Sequence, residues 1–140
     1  MIKQNARNLL DKLPAGVDIV ATAKIRSIDE VRESIEAGIG IIGHNYVQEA
    51  QVMIKQLGHD AASWVMIGHL QRNKVKVAVQ LFDSIQTVDS LRLAKTIDRE
   101  CEQLGRIMPI LIEVNAAREP QKSGVLPEAV ADVIQEDLPA

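Results

Sequence analysis

Residues 19–27 read IVATAKIRS, and the fold turns on how this stretch is read. An apolar run that breaks at a lysine and reaches a serine three residues later is a strand running into a helix. In a dinucleotide-binding sheet the turn after the first strand needs glycines, so that the backbone can approach a pyrophosphate. Between Ala23 and Ser27 there is no glycine, which sets that class aside. A barrel-type α/β protein instead places single functional side chains at the C-terminal ends of its strands, and Lys24 is such a side chain. A buried ammonium has to be paired, neutralised by a shifted pKa or consumed in a covalent bond. The plain alternative is that Lys24 lies just past the strand end and extends its amine into water.

Further apolar runs bounded by turn residues lie at 39–42, 64–67, 83–88 and 108–114, and with the run at 17–23 they begin 19 to 25 residues apart. Each interval holds a strand and a helix of about three turns with short connections, the repeat of a parallel α/β protein. Ser27 with Glu30 makes a capping box, and Ser90 caps a segment that stops at Gly105. Over 28–37, Ile28, Val31, Ile35 and Gly38 share one face while Asp29, Glu30, Arg32, Glu33 and Glu36 share the other, as suits a helix covering a sheet. A helix over 2–13 precedes the first strand and one over 127–136 follows the fifth. The expected fold is therefore α/β: the N-terminal five βα units of a (β/α)8 barrel of the triosephosphate isomerase type, preceded by an N-terminal helix, with strand order 1-2-3-4-5. The 140 residues fall short of the roughly 200 of a complete barrel. The sequence stops at EDLPA directly after a helical pattern, which reads as a break between units. An incomplete barrel domain over 1–140 is the expectation.

Composition narrows the function. A net charge of -3 leaves no basic excess for phosphate-backbone binding, and Trp64, Tyr46 and Phe82 are too few for a base-stacking platform, so nucleic acid is not an expected partner. Cys101 is the single cysteine, which excludes an intrachain disulfide and fits a reducing compartment. No stretch approaches a bilayer-spanning length and the N-terminus lacks a leader pattern, so a cytoplasmic protein with no membrane association is expected.

The strand ends carry Lys24, then His44 and Asn45, His69, Asp89 and Asn115. Each has a structural alternative: Asn45 and Asp89 as helix caps, the histidines as satisfied surface groups, Asn115 as a loop-shaping residue. Their recurrence at one point of every unit suggests convergence on one mouth.

The segments VATAK, GHNYVQEA, WVMIGHLQRNKVK and EVNAAREPQKSG, in this order and spacing, resemble the pyridoxal phosphate homeostasis protein family, and the resemblance runs from about Leu10 to Val133. It implies a fold-type III protein similar to the N-terminal barrel of alanine racemase, one that binds pyridoxal 5'-phosphate for intracellular homeostasis of that cofactor without enzymatic turnover. The family lysine that forms the Schiff base falls on Lys24, so the resemblance implies an amine kept to be consumed as an imine. Asn45 is then the donor to the ring hydroxyl, and His69 and Asn115 line the same mouth. The cofactor-binding set implied is Lys24, Asn45, His69 and Asn115, with no metal and no catalytic residue.

Departures from the family pattern are Ala23, Arg26, Ser27 and His44, the last replacing an acid and changing the charge expected near Lys24. The family's phosphate-binding glycines, serines and arginine come from later strands. Lys122, Ser123 and Gly124 read as a rim loop lacking a P-loop's glycine pattern, with Lys122 a second amine. Cofactor-requiring apoenzymes are possible partners, as is self-association through open sheet edges. The competing readings are a racemase or decarboxylase of the same fold type, which needs a second acid/base group, and an inactive truncated fragment.

Overall fold

Each apolar run of the sequence forms a strand, and each periodic segment a helix, in the computed structural model, which describes residues 1–135. The order is α1 (Ile2–Lys12), β1 (Val20–Thr22), α2 (Ile28–Glu36), β2 (Ile41–His44), α3 (Val47–Leu57), β3 (Ser63–Met66), α4 (Val75–Leu81), β4 (Ser84–Val88), α5 (Leu91–Leu104), β5 (Ile110–Ile112) and α6 (Val130–Gln135). All four strand pairs are parallel and the sheet order is β1-β2-β3-β4-β5. The expected sequential order is thus observed. The helix expected over 127–136 is a 3-10 turn at Pro127–Ala129 followed by α6; Glu136 and the EDLPA end lie outside the described residues.

The caps act as the sequence suggests. The Ser27 hydroxyl accepts from the Glu30 amide at 3.1 Å while the Glu30 carboxylate accepts from the Ser27 amide at 3.1 Å. Ser90 accepts from the Leu93 amide, and α5 stops at Gly105 in the left-handed region. Such caps satisfy amides that have no partner within the helix.

The outer strands are shorter than the apolar runs, for local reasons. β1 is an edge that pairs only with β2, from Val20↔Ile41 onward, and Val17 before it is half exposed and bonded back to Pro14. β5 ends at Ile112 because the following backbone turns to another partner: the Val125 amide donates to the Glu113 carbonyl and the Asn115 amide donates to the Val125 carbonyl. That return needs Gly124, whose φ is 112° and where an added Cβ would come within 2.7 Å of the Asn115 nitrogen. Both the torsion and the space exclude other residues.

One face of the sheet packs under the helices. Ile42, Trp64 and Ile85 from three strands meet Val31, Ala50, Val75, Ala78, Val79 and Ile97 from the helices. Trp64 is fully buried, and its indole donates to the His59 carbonyl at 2.9 Å. Burying each large side chain of this set contributes roughly 1.5–3 kcal/mol. Cys101 is buried on α5 as part of the same core. Among the described residues no helix is long and apolar enough to cross a membrane.

Candidate functional site

Residues alternate between the two faces of a strand, and this alternation sorts the strand-end residues. An added Cβ on Gly43 would meet Ile67 and Val20, so these three share the face opposite the helix-packed core. Lys24 continues the parity of Val20 on β1, and Asn45 continues that of Gly43 on β2. His44 has the other parity and is only 1% exposed, with its ring stacked on Trp64 at a centroid distance of 5.8 Å. The expectation that His44 alters the charge beside Lys24 is therefore corrected: it belongs to the helix-facing layer. Neither of its ring nitrogens has a hydrogen-bond partner, and burial lowers its pKa to about 4, so it is neutral at physiological pH.

Lys24 opens a tight turn in which the Arg26 amide donates to the Ala23 carbonyl. The next residue, Ile25, has φ 58° and is 90% exposed. A β-branched side chain in that region is strained, and the strain is held in the one link between Lys24 and the capping box of α2. Lys24 itself is exposed, where the sequence reading took it to be buried. It lines a cavity of about 360 Å³ together with Asn45, His69, Tyr46, Gln48 and Lys74, floored by Met66 and Leu70. Three expected residues from three strand ends thus share one cavity.

The loop that follows β3 is fastened from both sides. The Thr87 hydroxyl on β4 donates to the Gly68 carbonyl at 2.6 Å. The His69 Nδ1 lies 3.3 Å from a carboxylate oxygen of Asp89, whose side chain is 15% exposed. Gly68 also lies so close to the preceding unit that an added Cβ would fall 2.2 Å from the Asn45 carbonyl oxygen and 2.6 Å from its Cα. The loop therefore presses directly on the backbone that presents Asn45.

Asn115 is placed differently. Its amide donates to the Glu119 carbonyl at 2.8 Å and its side-chain oxygen accepts from the Glu119 amide at 3.1 Å, closing its own loop, and it is not part of the cavity lining. Lys122 on that loop pairs with Glu119 at 3.2 Å. Sequence reasoning missed Gly68, Asp89's hold on His69, and Lys74. The available signal was the position of all three at strand ends or helix starts, two of them within the block GHLQRNK. Among the described residues there is no group of three or more His, Cys, Asp or Glu side chains that could hold a metal ion.

The alanine racemase N-terminal domain family matches residues 1–138. The pyridoxal phosphate homeostasis protein of Helicobacter pylori strain 26695 is 36% identical over 118 residues, covering 84% of this chain and 53% of the relative. That of Escherichia coli K12 is 32% identical over 115 residues, covering 80% and 49%. PipY of Synechococcus elongatus PCC7942, solved with pyridoxal phosphate bound, superposes with a TM-score of 0.86 at 34% identity, over 96% of this chain and 63% of PipY. The chain spans about half the length of the curated relatives it matches.

Proposed function

The chain belongs to the alanine racemase N-terminal domain family, and on that premise we propose that it binds pyridoxal 5'-phosphate and serves its homeostasis in the cytoplasm. The five βα units are, in this reading, a partial barrel domain over 1–140, the first part of a (β/α)8 barrel. The observation that carries the proposal is the convergence of Lys24, Asn45 and His69 from three separate strand ends on one cavity. The donor set fits the cofactor. The cavity has the amines of Lys24 and Lys74, the side-chain amides of Asn45, Gln48 and Gln71, the apolar side chains of Val47, Met66 and Leu70, and no carboxylate among its lining residues. Its volume of about 360 Å³ falls in the range of small-ligand sites.

When bound, the cofactor supplies an aldehyde that condenses with primary amines. Lys24 is the residue that holds it, as a Schiff base, and an exposed amine is reachable for both loading and release. Asn45, fixed by Gly68, orients the ring through its hydroxyl. His69, fixed by Asp89, lines the mouth, and Asn115 shapes the loop that follows β5. In this reading the protein has no turnover of its own, and apoenzymes that need the cofactor are its recipients.

The test is absorbance titration with pyridoxal phosphate and with pyridoxal, then borohydride reduction and peptide mapping. The label is expected on Lys24, and Lys24→Ala should abolish it. Equal labelling of Lys55 and Lys95, or an unchanged signal in Lys24→Ala, would overturn the assignment. One observation favours the enzyme alternative: Tyr46, half exposed, lines the same cavity and is a candidate acid/base group. Loaded protein incubated with L- and D-alanine in D2O decides between them: α-proton exchange well above that of free pyridoxal phosphate marks an enzyme, and exchange no faster than that marks a binding protein.

A further inference from the structure

His69 and Asp89 come from neighbouring βα units, and the function proposed above uses His69 only as lining. The pair is asymmetric. A carboxylate oxygen of Asp89 lies 3.3 Å from Nδ1, and Nε2 has no partner among the described residues. Negative charge beside Nδ1 favours the tautomer that carries its proton there, which leaves the lone pair on Nε2. The Asp89 side chain is only 15% exposed, so its charge acts on the ring through less water than a surface carboxylate would. The backbone on both sides of His69 is held as well. Gly68 is bonded by the Thr87 hydroxyl at 2.6 Å and lies against Asn45, and Leu70 is buried at 2% exposure. A histidine with a free Nε2 is thus pinned on a short loop, and it lines the same cavity as Lys24. Imidazole is the side-chain group that both takes and gives a proton near neutral pH.

We propose that His69 is the proton relay for condensation of an aldehyde with Lys24, and that Asp89 is the positioning residue that keeps Nε2 free for it. The Lys24 nitrogen attacks only as the free amine, so His69 Nε2 first takes one proton from the ammonium. The nitrogen then forms its bond to the aldehyde carbon, and a second nitrogen-bound proton passes to the oxygen. His69 returns its proton to that oxygen, the carbon–oxygen bond breaks, and water leaves. Both protons of the water come from Lys24, the double bond to carbon forms with the nitrogen keeping one proton and the positive charge, and no other reactant is needed. Asp89 stabilises the imidazolium in the interval, as a carboxylate behind a histidine base does generally. Release by water runs the same transfers in reverse.

The inference rests on the reading that Lys24 carries the aldehyde, and the experiment separates the two. In the unloaded chain, labelled with 15N at its histidines, the neutral His69 ring is expected to show a protonated Nδ1 and a bare Nε2. Asp89→Asn should move that balance toward a proton on Nε2, and an unmoved balance would overturn the positioning role. Capture and release of pyridoxal phosphate are then followed by stopped-flow absorbance. The His69 side chain is 54% exposed, so His69→Ala leaves the core intact. It should slow both rates about a hundredfold, with their ratio little changed, because a relay acts on both directions alike. Added imidazole should restore both. His59→Gln, at the sheet end remote from the site beside Asp83, is the control and should change neither rate. Native rates in His69→Ala, or a change in release alone without rescue by imidazole, would overturn the relay while a label on Lys24 keeps the function reading standing. A label absent from Lys24 would overturn both.

Discussion

His44 shows how one residue couples the site's scaffold to pH. Its ordinary pKa of 6.5 falls to about 4 in the fold because its ring is buried without a hydrogen-bond partner. Between these values the unfolded chain binds a proton that the folded chain does not. The contribution of His44 to stability is therefore fully present above about pH 6.5 and declines by about 1.4 kcal/mol per pH unit on acidification, levelling off near pH 4. The total is about 3 kcal/mol. Urea midpoints measured from pH 7 to pH 4 should fall more steeply in the native sequence than in His44→Met, and parallel curves would refute the assignment. Gly68 is the second telling residue. Any Cβ there collides with Asn45 backbone, which cannot swing aside as a side-chain tip can. Gly68→Ala should cost about 1–3 kcal/mol, the usual range for overpacking, and should weaken capture of pyridoxal phosphate as Asn45 shifts. Native-like affinity in a folded Gly68→Ala protein would show that Asn45 has no orienting role.

At the scale of elements, the sheet end remote from the site is held by Arg106, which follows α5. Its guanidinium donates to the Val79 carbonyl at 2.5 Å and the Phe82 carbonyl at 2.7 Å, closing the C-terminal end of α4, with Asp83 3.8 Å away. Asp83 in turn accepts from the Trp64 amide at 2.8 Å. One side chain thus ties α4, β3 and the start of β4 together. Charge-assisted hydrogen bonds contribute roughly 1.5–3 kcal/mol each, so Arg106→Ala should destabilise by at least that amount. Arg106→Lys should fall between, since an ammonium cannot reproduce the two-pronged geometry. Chemical denaturation of the three proteins gives the order, and a Lys variant as stable as the native protein would mean that charge alone is used. Thr87 on β4 plays the matching part at the site end through its bond to Gly68.

At the scale of the whole molecule, β1 pairs only with β2 and β5 only with β4. Two parallel edges are left without partners among the described residues, and Leu111 on β5 is 59% exposed. Unpaired edges template association with other chains. The chain expressed by itself is expected to self-associate through β1 and β5, with a light-scattering mass that rises with concentration. A monodisperse monomer that unfolds cooperatively would count decisively against this.

Element order, spacing, the caps at Ser27 and Ser90 and the set of polar strand ends were legible in the sequence, because each depends on neighbours a few residues away. The strand order followed from that spacing with one further premise, that consecutive parallel units lie side by side. Faces and convergence were decided by the tertiary structure alone. His44 and Asn45 are adjacent in the chain, yet one packs on Trp64 and the other lines the cavity, since strand alternation sends neighbours to opposite sides. Asn115 closes its own loop because β5 gives way to the Val125 return. Lys24 is exposed and Lys74 joins it in one cavity. Which side chains from separate strands meet depends on how those strands pack against one another, and spacing along one chain carries no record of it.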